Sequence, residues 1–359
     1  NQRGGCVWIQ PRLMRGRTPL RLLNLLSPLI ASPAVAFSRP PALSRPLCFS
    51  STNPLRQSRG QYGRLVMAET KFKVACVQLE AGKDKKANVE NAATQIDTAC
   101  KAGAQLIVLP ECFNSPYGTK YFDEYAEEVT TGESPTAIML STKAREHGVF
   151  IIGGSFPERD MGKLYNTCIA FNKEGDMVCK HRKMHLFDID IPGQITFKES
   201  DTLSPGDTPT IFDLSEHGGP AARIGIGICY DIRFPELCSL YRNSGCNMLI
   251  FPGAFNMVTG PAHWELLARG RAVDNQCFLA FCSPARDDQA DYTAWGHSLV
   301  FDPWGDKLGE LDEKPGILYA DVDLEQVVTR RTNMPYHFQK RSDVYSLESP
   351  FLPKNKDKK

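Results

Sequence analysis

From Phe72 onward, short apolar runs rich in β-branched residues alternate with stretches whose apolar positions recur every three or four residues. Lys73–Leu79 reads as a buried strand. Val89, Ala92, Ala93, Ile96 and Cys100 then fall on one helical face, and Gly103 supplies a stop. Gln105–Leu109 is the next strand, closed by Pro110. The alternation returns as a helix over Ser134–His147 and a strand over Val149–Ile152. Asn166–Phe171 and Met177–Lys180 flank Lys173-Glu174-Gly175-Asp176 and predict a hairpin. Arg223–Cys229 reads as a strand, Pro235–Asn243 as a helix and Asn247–Phe251 as a strand. Helix His263–Asn275 and strand Cys277–Cys282 follow. Two further strands start at His297 and Ile317, the first turning at Pro303-Trp304-Gly305-Asp306.

This pattern predicts a single α/β domain over 72–335, without linker or repeat, in which two stacked sheets are covered by helices. Residues 336–359 form a polar tail ending in a Lys-rich run expected to fray.

Charge changes the picture at the start of the chain. The formal net charge of +1 excludes a global basic surface for nucleic acid, yet residues 1–66 hold ten Arg and no Lys, Asp or Glu. From Met67 onward, 32 basic side chains face 41 acidic ones. An acid-free head rich in Arg, Ser, Leu and Pro reads as an organellar transit peptide, mitochondrial or plastid. If translation starts at Met67 the protein is cytoplasmic and the head is upstream sequence or a disordered extension. Leu20–Ile30 is interrupted by Arg21, Asn24 and Pro28 and is too short to span a bilayer. Ten of the twelve cysteines lie in the body, none in a CxxC pair or with zinc spacing, so no metal site is expected and a reducing compartment is.

Three predicted strands end directly before a reactive side chain. Leu106–Leu109 leads to Glu111, Met177–Lys180 to Lys183, and Arg223–Ile228 to Cys229. Strand ends in α/β folds border the crevice where ligands bind. A carboxylate, an ammonium and a thiol delivered there suit a base, an oxyanion stabiliser and a nucleophile. Taken singly, each has an ordinary reading: a buried packing cysteine and a Glu–Lys ion pair.

Together the segments Leu109-Pro110-Glu111-Cys112-Phe113, His181-Arg182-Lys183-Met184-His185-Leu186 and Gly227-Ile228-Cys229-Tyr230-Asp231-Ile232-Arg233-Phe234-Pro235-Glu236 resemble the nitrilase superfamily of carbon–nitrogen hydrolases over about residues 72–335. The resemblance implies a four-layer α-β-β-α sandwich, a Glu111–Lys183–Cys229 triad, no cofactor, and at least a homodimer. Glu199, in Thr196-Phe197-Lys198-Glu199-Ser200, matches a second glutamate of the family. Ser115-Pro116-Tyr117-Gly118, Lys183–Asp190 and Ile191–Ser200 look like the omega-amidase branch, which hydrolyses the terminal amide of 2-oxoglutaramate and 2-oxosuccinamate. Related amidases act on deaminated glutathione or carbamoyl compounds with the same triad, and a non-catalytic scaffold is the reading from another class.

In such a site Lys183 would favour the Cys229 thiolate and Glu111 would accept its proton. Lys183 and the backbone N–H of Tyr230 would hold the oxyanion, and Glu199 would orient the lysine and the substrate amide. Arg233 and Tyr117 are candidates for the substrate carboxylate, although Arg233 could instead pair with Asp231 or Glu236. Phe187, Phe255 and Met334 are candidates for shaping the pocket or belong to the core. His181 and His185 straddle Lys183 at a spacing that binds metal on a helix, but without a further ligand the structural reading prevails.

Overall fold

A computed structural model describes residues 69–192 and 195–352. The Arg-rich head and the Lys-rich end lie outside the described residues. The chain opens with β1 (Lys71–Gln78), α1 (Lys85–Lys101), β2 (Leu106–Val108), α2 (Thr119–Tyr125), α3 (Pro135–His147), β3 (Phe150–Ile152), β4 (Phe156–Asp160), β5 (Lys163–Phe171) and β6 (Met177–Arg182). A hairpin follows, β7 (Asp188–Ile191) with β8 (Ile195–Lys198), and then β9 (Thr210–Asp213), β10 (Arg223–Ile226), α4 (Pro235–Asn243), β11 (Met248–Pro252) and α5 (Thr259–Asn275). The remainder is β12 (Phe278–Cys282), β13 (Leu299–Phe301), β14 (Lys307–Glu310), β15 (Gly316–Asp323) and α6 (Glu325–Asn333).

Seven strands form one mixed sheet in the order β15-β1-β2-β3-β5-β4, with β6 also on β5. Six form a second in the order β14-β13-β12-β11-β10-β9. Strand periodicity explains how the layers stack, because successive side chains point to opposite faces. Val74, Cys76, Leu106, Val108 and Ile152 enter the core shared with the second sheet. Their neighbours Ala75, Val77, Ile107 and Ile151 pack with Ala92 and Ile96 of α1 and Leu140 and Ala144 of α3. Burying each large side chain contributes about 1.5–3 kcal/mol. On the outer face of the second sheet, Trp264 of α5 stacks on Phe281 of β12 at 3.4 Å between ring centroids. The result is the expected α-β-β-α sandwich.

Local signals account for the helix boundaries. Asp84 caps α1 by accepting from the Ala87 amide at 3.1 Å, and Ser134 caps α3 by accepting from Ala137, with Pro135 in the first turn. The Lys173–Asp176 turn joins β5 to β6 in antiparallel register, as its sequence predicts. Several boundaries differ from expectation, β5 starting at Lys163 and β6 ending at Arg182 among them, and two matter most. α5 begins at Thr259 rather than His263, with Pro261 inside its first turn where a missing amide costs nothing. The strand expected to reach Cys229 ends at Ile226, and Cys229–Arg233 is a 3-10 turn. At the far end, Leu352 packs against the central core.

Candidate active site

Glu111 follows β2 in a loop held against the β3–β4 connection. Ser155 N–H donates to Pro110 O at 3.1 Å, and Cys112 N–H donates to Ser155 Oγ at 3.2 Å. This approach requires Gly154, where φ is +58° and a Cβ would lie 2.2 Å from Pro110 O. Cys112 itself adopts φ +51°. The Glu111 carboxylate is fully buried and fully used: Oε1 accepts from Asn166 Nδ2 at 2.8 Å and Lys183 Nζ at 3.0 Å, and Oε2 accepts from Ala254 N–H at 2.7 Å.

Lys183 leaves the end of β6 with its amide bonded to Asn166 O at 2.8 Å. Its ammonium, equally buried, donates to Glu111 and, at 2.9 Å, to Glu199 Oε1. Glu199 Oε1 also accepts from the Tyr117 hydroxyl at 2.6 Å, and Oε2 accepts from Phe187 N–H at 2.7 Å. Burial opposes the lysine's charge, but Glu111 and Glu199 overcome it and hold the ammonium well above its ordinary range. Burial raises the Glu111 carboxyl, Lys183 pulls it back down, and the Glu199 charge raises it again.

Cys229 stands at the head of the 3-10 turn with φ +47°, in the left-handed region that costs a non-glycine residue about 1–2 kcal/mol. Its thiol shares the electrostatic surroundings of Glu111 and Lys183. Gly253 backs onto it, and a Cβ there would lie 3.1 Å from Cys229 Cα and 2.5 Å from Phe281 Cε2. Burial and the Glu111 charge push the thiol well above its ordinary range, outweighing the opposite pull of Lys183. Cys229 is therefore held as a neutral thiol, and the expectation that Lys183 would favour the thiolate gives the right direction for its pull but not the net outcome.

Two clefts meet at Ala254 and Tyr292. One, of about 180 Å³ including its mouth, is lined by Phe187, Cys229, Tyr230, Arg233, Phe255 and Thr259. The other, about 490 Å³ including open space, reaches Glu111, Cys112, Ser115 and Tyr117. The Arg233 guanidinium lies 4.7 Å from the Phe255 ring centroid and 5.4 Å from that of Tyr230, with Nη1 3.3 Å from His263 Nδ1. Its Nε is buried without a protein partner. Among the described residues no carboxylate lies within ion-pair distance of it: Asp231 faces His181 and His185 instead, at 3.1 and 2.8 Å.

The structure thus gathers Glu111, Lys183, Glu199 and Cys229, and places Arg233, Tyr230, Phe187 and Phe255 on the cleft beside the thiol. Tyr117 lines the adjoining cleft, but its hydroxyl is occupied by Glu199. Met334 lines neither of these clefts; it caps α6 and is 47 % exposed. Three contributors escaped sequence reasoning. Asn166 ties Glu111 to the lysine segment, Ala254 acts through its amide alone, and Tyr292 anchors Ala254 by donating to its carbonyl at 2.6 Å. A backbone donor carries no side-chain signature, and only the alternation along β5 hinted that Asn166 faces inward. Elsewhere, Asp97, Glu146 and His147 converge with the spacing of metal ligands, but Lys143 Nζ lies between the carboxylates, 2.8 Å from Asp97 and 3.1 Å from Glu146.

Comparison with known proteins agrees with this geometry. Residues 73–332 match the carbon-nitrogen hydrolase family. The chain is 54 % identical to omega-amidase NIT2 of Bos taurus over 278 residues, covering 77 % of this chain and 98 % of that protein. It is 53 % identical to the Homo sapiens omega-amidase NIT2 over 279 residues, covering 78 % and 98 %. Among solved structures, Saccharomyces cerevisiae Nit3, a member of branch 10 of the nitrilase superfamily, superposes with a TM-score of 0.68 at 44 % identity, covering 77 % of this chain and 97 % of that one. The C. elegans NitFhit protein superposes with a TM-score of 0.71 at 31 % identity, covering 78 % and 68 %. Fold, site geometry and relatives agree, and the chain belongs to the carbon–nitrogen hydrolases of the nitrilase superfamily.

Proposed function

We propose that the protein is an omega-amidase: a thiol amidohydrolase that releases ammonia from 2-oxoglutaramate and 2-oxosuccinamate. The observation that carries this reading is the unpaired Arg233 on the cleft at Cys229, a fixed cation where a short amide-bearing acid would lay its carboxylate. Relatives named omega-amidase at more than half identity support the same substrate class.

In this reading Glu111 takes the Cys229 proton as sulfur attacks the amide carbon. The oxyanion is met by the Lys183 ammonium and the Tyr230 amide, interactions worth about 3–4 kcal/mol where one such donor has been removed elsewhere. Glu111 then returns the proton to the leaving nitrogen, ammonia departs, and a thioester remains. Water, deprotonated by Glu111, attacks the thioester carbon and the thiol leaves with a proton, which restores the resting state. Glu199 fixes Lys183 and acts with Tyr117 as its support. The raised Glu111 carboxyl favours taking up a proton, and the pull of Lys183 in the opposite direction favours giving it back, which suits both halves of the cycle.

The test is ammonia release from 2-oxoglutaramate by the full chain and by its Cys229→Ser variant, with deaminated glutathione, a carbamoyl compound and a simple nitrile alongside. Rapid release that the variant loses by at least about a thousandfold is expected. Release from another amide alone would move the substrate to that branch. Silence with every compound would favour a scaffold.

The finer organisation is part of the same proposal. A homodimer is supported by exposed apolar side chains on α5 (Leu266, Val273) and in the tail (Phe338, Val344, Tyr345, Phe351), and sedimentation at micromolar concentration tests it. An organellar address is supported by the acid-free Arg-rich head, and a fluorescent fusion of residues 1–66 tests it.

A further inference from the structure

Asp231, two residues after Cys229, is fully buried and lies outside the reaction sequence above. Its carboxylate accepts four hydrogen bonds from two different segments. Oδ2 takes the Ile228 amide at 2.9 Å and faces His181 Nε2 at 3.1 Å. Oδ1 takes the His185 amide at 2.9 Å and faces His185 Nδ1 at 2.8 Å. Ile228 is the residue before the nucleophile, while His181 and His185 lie two residues to either side of Lys183. Both histidines are braced in turn: His181 Nδ1 faces Thr210 Oγ1 at 3.2 Å, and the His185 ring stacks on Phe234 at 3.6 Å. The carboxylate therefore fastens the strand end that delivers the ammonium to the turn that delivers the thiol.

We propose that Asp231, gripped by His181 and His185, is a positioning residue that sets the distance between Lys183 and Cys229. The left-handed backbone at Cys229 calls for such a device, because a non-glycine residue keeps that conformation only where its surroundings fix it. The bond from the Ile228 amide back to the side chain three residues later holds the turn in that shape, as in a capping box. Burial works against the Asp231 charge, but the two imidazoles hold its carboxyl well below the usual carboxylate range, so it remains an acceptor throughout the working pH range. A displacement of about 1 Å in such a geometry costs on the order of a hundredfold in rate.

This inference rests on Cys229 being the nucleophile, and the test separates the two. Asp231→Asn offers one carbonyl oxygen in place of two carboxylate oxygens, so it cannot accept from the Ile228–His181 pair and from the His185 amide and ring together. The expected result is kcat lower by about a hundredfold with KM within about twofold, together with alkylation of Cys229 by iodoacetamide slowed at least about tenfold in a substrate-free assay. Turnover and alkylation within about threefold of wild type would overturn the proposal, even if the variant melted earlier. Should Asp231→Asn fail to fold by circular dichroism, His185→Leu decides. It removes one side-chain bond at a half-exposed position and is expected to lower kcat about tenfold with KM unchanged, and an unchanged kcat would overturn the proposal. Full activity in Cys229→Ser would instead overturn the nucleophile reading.

Discussion

Replacing Lys183 by methionine isolates the electrostatic core of the site. Methionine nearly fills the space of the lysine stem but carries no charge, so Glu111 Oε1 keeps only Asn166 and Glu199 Oε1 keeps only Tyr117. Two wholly buried carboxylates are then left without their cation. Removing one partner of a buried ion pair costs about 3–5 kcal/mol, a large share of the roughly 5–15 kcal/mol that holds a domain folded. At about 2 °C per kcal/mol for a chain of this size, the melting point falls by about 6–10 °C. The penalty depends on pH with a definite sign. Glu111 is already raised above its ordinary range, and losing Lys183 removes the pull that lowers it. A carboxyl raised by folding stabilises fully below its unfolded value and loses that contribution as pH rises through the folded one. The variant therefore regains stability relative to wild type in acid as Glu111 protonates, by up to about 1.4 kcal/mol per pH unit. Urea unfolding at about pH 7.5 and about pH 5.5 measures both quantities. A variant as stable as wild type at neutral pH, or a gap that widens in acid, would refute the charge balance described here.

Two further substitutions probe binding and packing. Arg233→Met removes the unpaired guanidinium from the cleft at Cys229 and is expected to raise KM for 2-oxoglutaramate about tenfold to a hundredfold with kcat little changed, in steady-state ammonia release. A fall in kcat alone would place Arg233 elsewhere in the cycle. Gly253→Ala drives a methyl to within 2.5 Å of Phe281 and 3.1 Å of the Cys229 backbone. It is expected to cost about 1–3 kcal/mol in urea unfolding and to lower kcat, and a silent substitution would mean the turn is looser than its contacts indicate.

The positions of Glu111, Lys183 and Cys229 were legible because each follows a strand end, and strand alternation is a local property that tertiary contacts reinforce. The turn at Cys229 was not legible. Arg223–Cys229 alternates like a strand to its last residue, and the break after Ile226 comes from the side chain of Asp231 reaching back to Ile228. Arg233 illustrates the same limit. Its neighbours Asp231 and Glu236 offered plausible ion pairs, but Asp231 is claimed by two histidines some fifty residues earlier, at separations of 50 and 46 positions. For those histidines the sequence supported a structural reading over a metal one, yet named no partner. Ala254 gave no signal at all, because its contribution to Glu111 is an amide that every residue but proline possesses.

The pairing of β1 with β15 has a consequence for how the protein is made. Eight residues of β1, Lys71–Gln78, lie in continuous antiparallel register with Asp323–Gly316. Gln78 Nε2 also donates to the carbonyl of Lys314, 236 residues away along the chain. During synthesis at about 5–20 residues per second, the edge of the first sheet waits roughly 10–50 s for the strand that covers it. Over that interval an apolar strand with unpaired amides and carbonyls stands open to any other extended chain. The first sheet therefore stays open to misassembly until β15 has been made, and a holdase that shields β1 over that interval is expected to raise the yield of folded protein.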